Sequence, residues 1–202
     1  NIYCGVAVLM FFLLYLGSRK ITFREKAVYC SMLVLFYASF SVNVLNFIWH
    51  GFHYPNSLPC RQSFIYIFLM LFICFRAYMY LDETPKKHIA IAFWGSACFV
   101  LLAEKLVTQE HFHFIVYYVA IIFLAAYAGL MYLYKDGKRT VCGFLALTLV
   151  AVEASINMSV TSVTTTSRES YTSDNEEVRI LKDSLQPASD FYRVEKKTRK
   201  TK

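Results

Sequence analysis

Four polar side chains that could bind an anion lie in the segment NFIWHGFHYPNSLPCRQSF, between two long apolar runs: His50, His53, Asn56 and Arg61. Arg61 is the most informative, because a guanidinium offers a planar fork of donors that matches a phosphate or carboxylate. Pro55 and Pro59 restrict the backbone around Asn56, which reduces the entropy lost when the segment holds a ligand. The pattern predicts a binding loop. The alternative is that Arg61 reaches to lipid headgroups from the start of the following span.

The histidines raise the question of a metal site. His50 and His53 are three residues apart, so a helical turn would place both on one side. His111 and His113 form a second pair, and neutral imidazole is a common ligand of transition metals. The two pairs lie in different loops, however, and histidines at a membrane boundary often serve as interfacial anchors. The sequence therefore predicts no cofactor, and a divalent metal held by the histidines is the open alternative.

Glu153 is a carboxylate within the apolar stretch LTLVAVEASINMSV. A carboxylate costs about 2.5–3.5 kcal/mol at the centre of a bilayer and less toward its surface. Glu153 is therefore expected to face protein or a water-filled cavity. Two roles are open: it lines a binding site, or it makes a structural hydrogen bond to a neighbouring helix.

Membrane spans are the elements that must position these residues. The chain of 202 residues is 57% hydrophobic and 17% charged, whereas a soluble domain is about one quarter charged. Its apolar runs have the length of about twenty residues that crosses the hydrocarbon layer, without the polar face of a soluble helix. The sequence predicts an all-α, multi-pass membrane protein. Its transmembrane block covers 1–160, with six spans at 2–17, 27–48, 63–81, 89–107, 114–134 and 140–160.

Basic residues predict the orientation of these spans. They concentrate in the first, third and fifth loops: Arg19, Lys20, Arg24, Lys26, Lys86, Lys87, Lys135, Lys138 and Arg139. In or beside the other two loops there are Arg61 and Lys105. The positive-inside rule places the basic loops in the cytoplasm, so the loop at 49–62 and the C-terminal tail are expected outside the cytoplasmic membrane. The net charge of +7 thus reflects topology, and no nucleic-acid partner is expected.

The tail at 161–202 has a different composition. It begins rich in Ser, Thr and Val, which suits an extended segment leaving the membrane. Asp174 could cap a helix that Pro187 ends, and DFYRVEKK then reads as a strand. We expect this region to be the start of an exterior α/β domain, truncated here. Neither end of the chain reads as a natural terminus, so the chain is interpreted as an internal fragment.

Two stretches carry a resemblance to a known family. WHGFHYPNSLPCRQSFIYIFLML and EASINMSVTSVTTTSRESY, with FYRVEK in the tail, resemble the bacterial YfhO family of membrane proteins. The resemblance implies a GT-C type glycosyltransferase that moves a sugar from a polyprenyl-phosphate donor to a cell-envelope polymer such as lipoteichoic acid. Under this interpretation, His50, His53, Asn56, Arg61 and Glu153 bind substrate. The catalytic base is expected upstream of the fragment, because 49–62 contains no Asp or Glu, and the fragment alone is expected to be inactive.

Two other functions remain open at this point. A transporter or flippase of a lipid-linked sugar would use the same exterior surface without a catalytic base, with Glu153 as a proton-coupled carboxylate. A structural membrane subunit would use the histidine-containing loop to dock a partner enzyme. Membrane lipid is a partner in every case.

Overall fold

The computed structural model of the chain describes residues 3–49, 51–53, 62–106, 115–161 and 180. The chain divides into two compact units, Asn1–Thr161 and Ser162–Lys202. In the second unit the structure describes Ile180, which is helical. The predicted strand and most of the predicted helix of the tail lie outside the described residues, so the exterior α/β domain stays a prediction.

Each of the six predicted apolar runs forms helix in the described part of the first unit. The second run is divided in two, because Val42 has an extended conformation with φ −89° and ψ 111°. The helices are α1 (Ala7–Gly17), α2 (Phe23–Ser41), α3 (Asn43–Trp49), α4 (Ser63–Met79), α5 (Lys86–Leu106), α6 (Ile115–Lys135) and α7 (Arg139–Thr161). No strand occurs among the residues that the structure describes.

Three of these helices are long and apolar enough to cross a membrane: Lys86–Leu106, Ile115–Lys135 and Arg139–Val160. Helices α1 and α4 are apolar but shorter, at 11 and 17 residues. Helix α2 begins with the sequence FREK, which contains three charged residues. The structure therefore supports a helical membrane protein with three candidate spans in its described part, whereas the prediction of six full spans is not confirmed.

Helix α1 lies at the centre of the first unit, in contact with α4, α5 and α6. Met10 and Tyr15 of α1 are completely buried, as are Ile73 of α4, Ile89 of α5 and Leu124 of α6. Helix α2 packs against α3 and α4, and α7 packs against α6. The outer helices α2 and α7 leave large apolar side chains exposed, as helices that face lipid do.

The loops predicted to share the cytoplasmic side do meet at one end of the unit. Ion pairs join Lys20 to Glu83 at 2.6 Å and Arg139 to Asp82 at 3.0 Å. Arg76 of α4 and Glu25 of α2 form a two-point pair at 2.9 and 3.2 Å, half-buried near the same end. The first, third and fifth loops thus share one face, although which side of the membrane it faces stays a prediction.

Gly95 marks a close approach between α5 and α1. A Cβ atom built on Gly95 would lie 2.9 Å from Leu13 Cδ1, closer than side chains tolerate without movement. A Cβ built on Gly129 of α6 or Gly143 of α7 would meet no atom within 4 Å. Substitutions at these three glycines therefore distinguish a loss of packing, expected at Gly95, from a general effect on helix propensity, expected at all three.

We expect Gly95→Leu to destabilise the protein, because overpacking a well-filled contact costs about 1–3 kcal/mol. Gly95→Ala should be close to neutral, since the gain in helix propensity of about 1 kcal/mol offsets a small shift of the Leu13 methyl. The measurement is thermal melting in detergent, with Gly129→Leu and Gly143→Leu as matched controls. Equal melting temperatures for Gly95→Leu and both controls would contradict this role of the contact.

The predicted topology is tested by labelling intact cells with a membrane-impermeant thiol reagent. His53→Cys and Lys138→Cys are placed separately in a Cys60→Ser background, because both native side chains are exposed. We expect labelling at 53 and protection at 138 until the membrane is opened. Reaction at 138 with protection at 53 would mean that the orientation is inverted.

Candidate functional site

The segment that carries the predicted binding loop begins at the C-terminus of α3. Gly51 donates its N–H to Ile48 at 3.1 Å, and Phe52 donates to Phe47 at 3.0 Å. This pair of bonds, with Gly51 at φ 66° and the Phe47 and Phe52 rings in edge contact at 5.8 Å, forms a Schellman motif. Part of the sequence WHGFH therefore encodes the end of a helix.

The same turn sets the direction in which the chain leaves α3. Phe52 has φ 61°, a conformation that costs a residue with a side chain about 1–2 kcal/mol. His53 follows directly and is exposed. Because Gly51 and Phe52 are left-handed, the helical spacing argument for a shared face does not apply at His53. His50, Asn56 and Arg61 lie outside the described residues, and their role in binding stays a prediction.

Gln62, which follows Arg61 in sequence, fixes the start of α4. Its side chain is buried, and Nε2 donates to the Ser39 carbonyl at 3.4 Å. Ser39 is also buried and donates its hydroxyl to Phe36 O at 2.6 Å. The hydrogen bond from Gln62 thus holds the C-terminal end of the predicted binding loop against α2. Sequence reasoning missed Gln62, although a polar amide at the start of an apolar helix was a visible signal.

Glu153 is buried, with 5% of its surface exposed, as its place in an apolar stretch predicted. Three groups donate to its carboxylate. The Tyr3 hydroxyl and the Val6 N–H donate to Oε1, the latter at 2.6 Å, and the Tyr127 hydroxyl donates to Oε2 at 2.5 Å. We call Glu153, Tyr3, Val6 and Tyr127 the carboxylate cluster.

The carboxylate cluster joins three elements. Glu153 belongs to α7 and Tyr127 to α6, while Val6 occupies the N-cap position of α1. Gly5, at φ 91°, turns the chain so that Tyr3 and Val6 reach the same oxygen. A carboxylate at the positive end of a helix dipole is favourable, and here it also accepts a backbone N–H that hydrocarbon could not satisfy. Glu153 therefore acts as a structural acceptor, and its part in substrate binding stays a prediction.

Tyr3 and Tyr127 were not identified from the sequence. A buried tyrosine hydroxyl usually has a hydrogen-bond partner, so tyrosines in an apolar run were the available signal. The chain contains 15 tyrosines, however, and their type alone does not select the two that reach Glu153.

The predictions about a metal concern residues that are mostly undescribed. Within the described ranges, no group of three or more His, Cys, Asp or Glu side chains gathers as a metal site would. Of the four histidines considered, His53 lies in a described range, whereas the other three do not. The described geometry supplies no donor set to which a metal-dependent step could be assigned.

An apolar groove runs between α6 and α7 next to the carboxylate cluster. Its volume is about 380 Å³, and its walls include Phe123 and Leu130 of α6 and Leu149 and Val152 of α7. Phe123 and Val152 are close in sequence to Tyr127 and Glu153, respectively. The groove is suited to a hydrocarbon chain, because its lining is almost entirely apolar.

Comparison with known proteins assigns the chain to a family. A sequence model described as bacterial membrane protein YfhO matches residues 1–202, the whole chain. No match was found among curated proteins or among solved structures. The description of this family as a membrane protein agrees with the apolar helices described above. The chain belongs to the YfhO family of bacterial membrane proteins.

Proposed function

We propose that the protein is part of a membrane glycosyltransferase of the GT-C type. The observation that carries the proposal is the match of the YfhO family over the whole chain. In this proposal the donor is a sugar on a polyprenyl phosphate, and the acceptor is an envelope polymer such as lipoteichoic acid. The reaction takes place on the outer face of the cytoplasmic membrane, where the loop at 49–62 lies under the predicted topology.

The donor phosphate requires a cation near the membrane surface. Arg61 supplies it, and His50, His53 and Asn56 complete a polar platform for the sugar. Two described features support this platform: the Schellman turn fixes where the chain leaves α3, and Gln62 fixes where it enters α4. A loop held at both ends loses less entropy on binding than a free one does.

The polyprenyl chain requires an apolar surface within the membrane. The groove between α6 and α7 supports this part of the proposal, because its lining is apolar over about 380 Å³. The base that deprotonates the acceptor hydroxyl is not one of these residues. The proposed contribution of the chain is therefore donor binding and orientation.

A transporter of lipid-linked sugars is the second candidate, because Glu153 is a carboxylate within a candidate span. Its hydrogen bonds weigh against that role. A proton-coupled carboxylate must exchange protons with water, whereas Glu153 is buried and both oxygens accept bonds from protein donors. The transferase is thus the better supported of the two.

Arg61 tests the donor site. In the full-length protein, Arg61→Ala should lower sugar transfer about ten- to a hundredfold, because a hydrogen bond to a charged group contributes about 1.5–3 kcal/mol. Arg61→Lys should also lower it, since Lys lacks the two-point fork. The measurement is sugar incorporation into envelope polymer divided by membrane abundance, with Lys105→Ala as a control on the same side. Parental activity of Arg61→Lys would instead indicate contact with lipid headgroups.

Two substitutions of Glu153 distinguish a structural role of its side chain from a role that depends on its charge. Glu153→Ala should lower the melting temperature strongly, because each buried donor left without a partner costs about 1–3 kcal/mol. Glu153→Gln keeps the size and one acceptor oxygen, so it should fold and retain partial sugar transfer. Glu104 lies near the C-terminal end of α5, at the same end of the helices as Glu153. Glu104→Ala is therefore the matched control, and it should change the melting temperature and sugar transfer little.

The two readouts of the Glu153 variants distinguish the candidate functions. Coupled transport would be abolished by Glu153→Gln even at normal abundance, whereas a structural acceptor tolerates this change. Parental stability of Glu153→Ala would refute the structural role. Normal abundance of Glu153→Gln with no sugar incorporation would assign Glu153 to the chemical step.

A further inference from the structure

A second cavity, which is polar, lies at the end of the unit where the first, third and fifth loops meet. Its volume is about 310 Å³, and it lies between the loop after α1 and the start of α5. The polar and charged groups that line it include Arg19, Lys20, Glu83, Thr84, Lys87 and His88. We call this cavity the basic pocket. It is at the opposite end of the helices from His53 and the carboxylate cluster.

The charge of the basic pocket is unbalanced. Lys20 is paired with Glu83 at 2.6 Å, and this hydrogen bond raises the pKa of the Lys20 ammonium, which therefore stays charged. Arg19 and Lys87 form no ion pair with any residue that the structure describes. By contrast, Lys86 beside the pocket is paired with Asp136 at 2.6 Å. Three cations, Arg19, Lys20 and Lys87, thus face one carboxylate, Glu83.

The position of Lys87 increases this imbalance. Helix α5 begins at Lys86, and its first turn carries no acidic residue. The amino end of a helix has partial positive charge, so lysines there are unfavourable unless an anion is close. Arg19, in the loop after α1, also lines the pocket and provides a planar fork of donors. Guanidinium and ammonium groups that line one small cavity match the oxygens of a phosphate.

We propose that the basic pocket binds a phosphate group, carried either by an anionic lipid of the same leaflet or by a free phosphate. The cavity is at the lower end of the size range for small-ligand sites, which suits a headgroup phosphate. Tyr80 lines the pocket beside these cations, and tyrosine is enriched at membrane surfaces, where lipid phosphates lie. The site is independent of the proposed donor platform.

The test compares two paired variants that remove the same charge. The pocket pair is Arg19→Gln with Lys87→Gln. The control pair is Arg24→Gln with Lys138→Gln, which are exposed on the same end and do not line the pocket. Each protein is placed in nanodiscs of phosphatidylcholine, with or without phosphatidylglycerol. Retained phosphatidylglycerol is measured by native mass spectrometry, and thermal stability is measured against added inorganic phosphate.

The pocket pair should weaken binding about tenfold or more, as expected for loss of charge-assisted contacts, while the control pair changes it little. Selective loss of phosphatidylglycerol identifies a lipid headgroup, and selective loss of stabilisation by inorganic phosphate identifies a free phosphate. Glu83→Gln removes the one carboxylate and should tighten binding, a gain that misfolding cannot produce. Equal binding by the two pairs, or no gain for Glu83→Gln, would overturn the proposal.

Discussion

A backbone polar group inside hydrocarbon must find its partner within the protein, and the amino end of α1 meets this constraint through Glu153. Glu153 lies eight residues before the end of α7, about 12 Å along the helix axis. Helix α1 has 11 residues, so it can begin at this depth and still end at the polar loops. The carboxylate thus allows a short helix to occupy the centre of the unit, where α4, α5 and α6 pack around it.

At the carboxyl end of α1 the stabilising group is a cation, whereas at the amino end it is an anion. The carbonyls at the end of α1 accept bonds from the Lys26 ammonium, at 2.7 Å from Leu16 O and 2.6 Å from Ser18 O. Lys135 similarly donates to the carbonyls that follow α4. Cations are favourable at the carboxyl ends of helices, where carbonyls lack partners. An anion therefore stabilises α1 at one end and a cation stabilises it at the other, and the remaining lysines and arginines of that end are available for ion pairs and ligands.

Hydrophobic runs predicted the helices well, because length and the absence of a polar face are properties of local sequence. The burial of Glu153 was predictable for a similar reason, since one carboxylate in an apolar run requires a partner. The identity of the partners was not: Tyr3 and Tyr127 are separated from Glu153 by 150 and 26 residues, so only packing brings them together. The break at Val42 was also missed, because no proline or glycine marks it. Arg61 and most of the tail, which carried much of the functional argument, lie outside the described residues.

The segment after α3 contains residues that helix termination explains and residues that it does not. Gly51 and Phe52 close the helix, and the contact of the Phe47 and Phe52 rings secures that closure, so these residues need no ligand to explain them. Helix termination does not account for an exposed His53 or for an arginine beside the anchored Gln62. The proposed donor site therefore depends on charge at Arg61 more than on histidine spacing. Helix packing sets where this loop begins and ends, since α3 sets one end of the loop, and α2, through Ser39, sets the other.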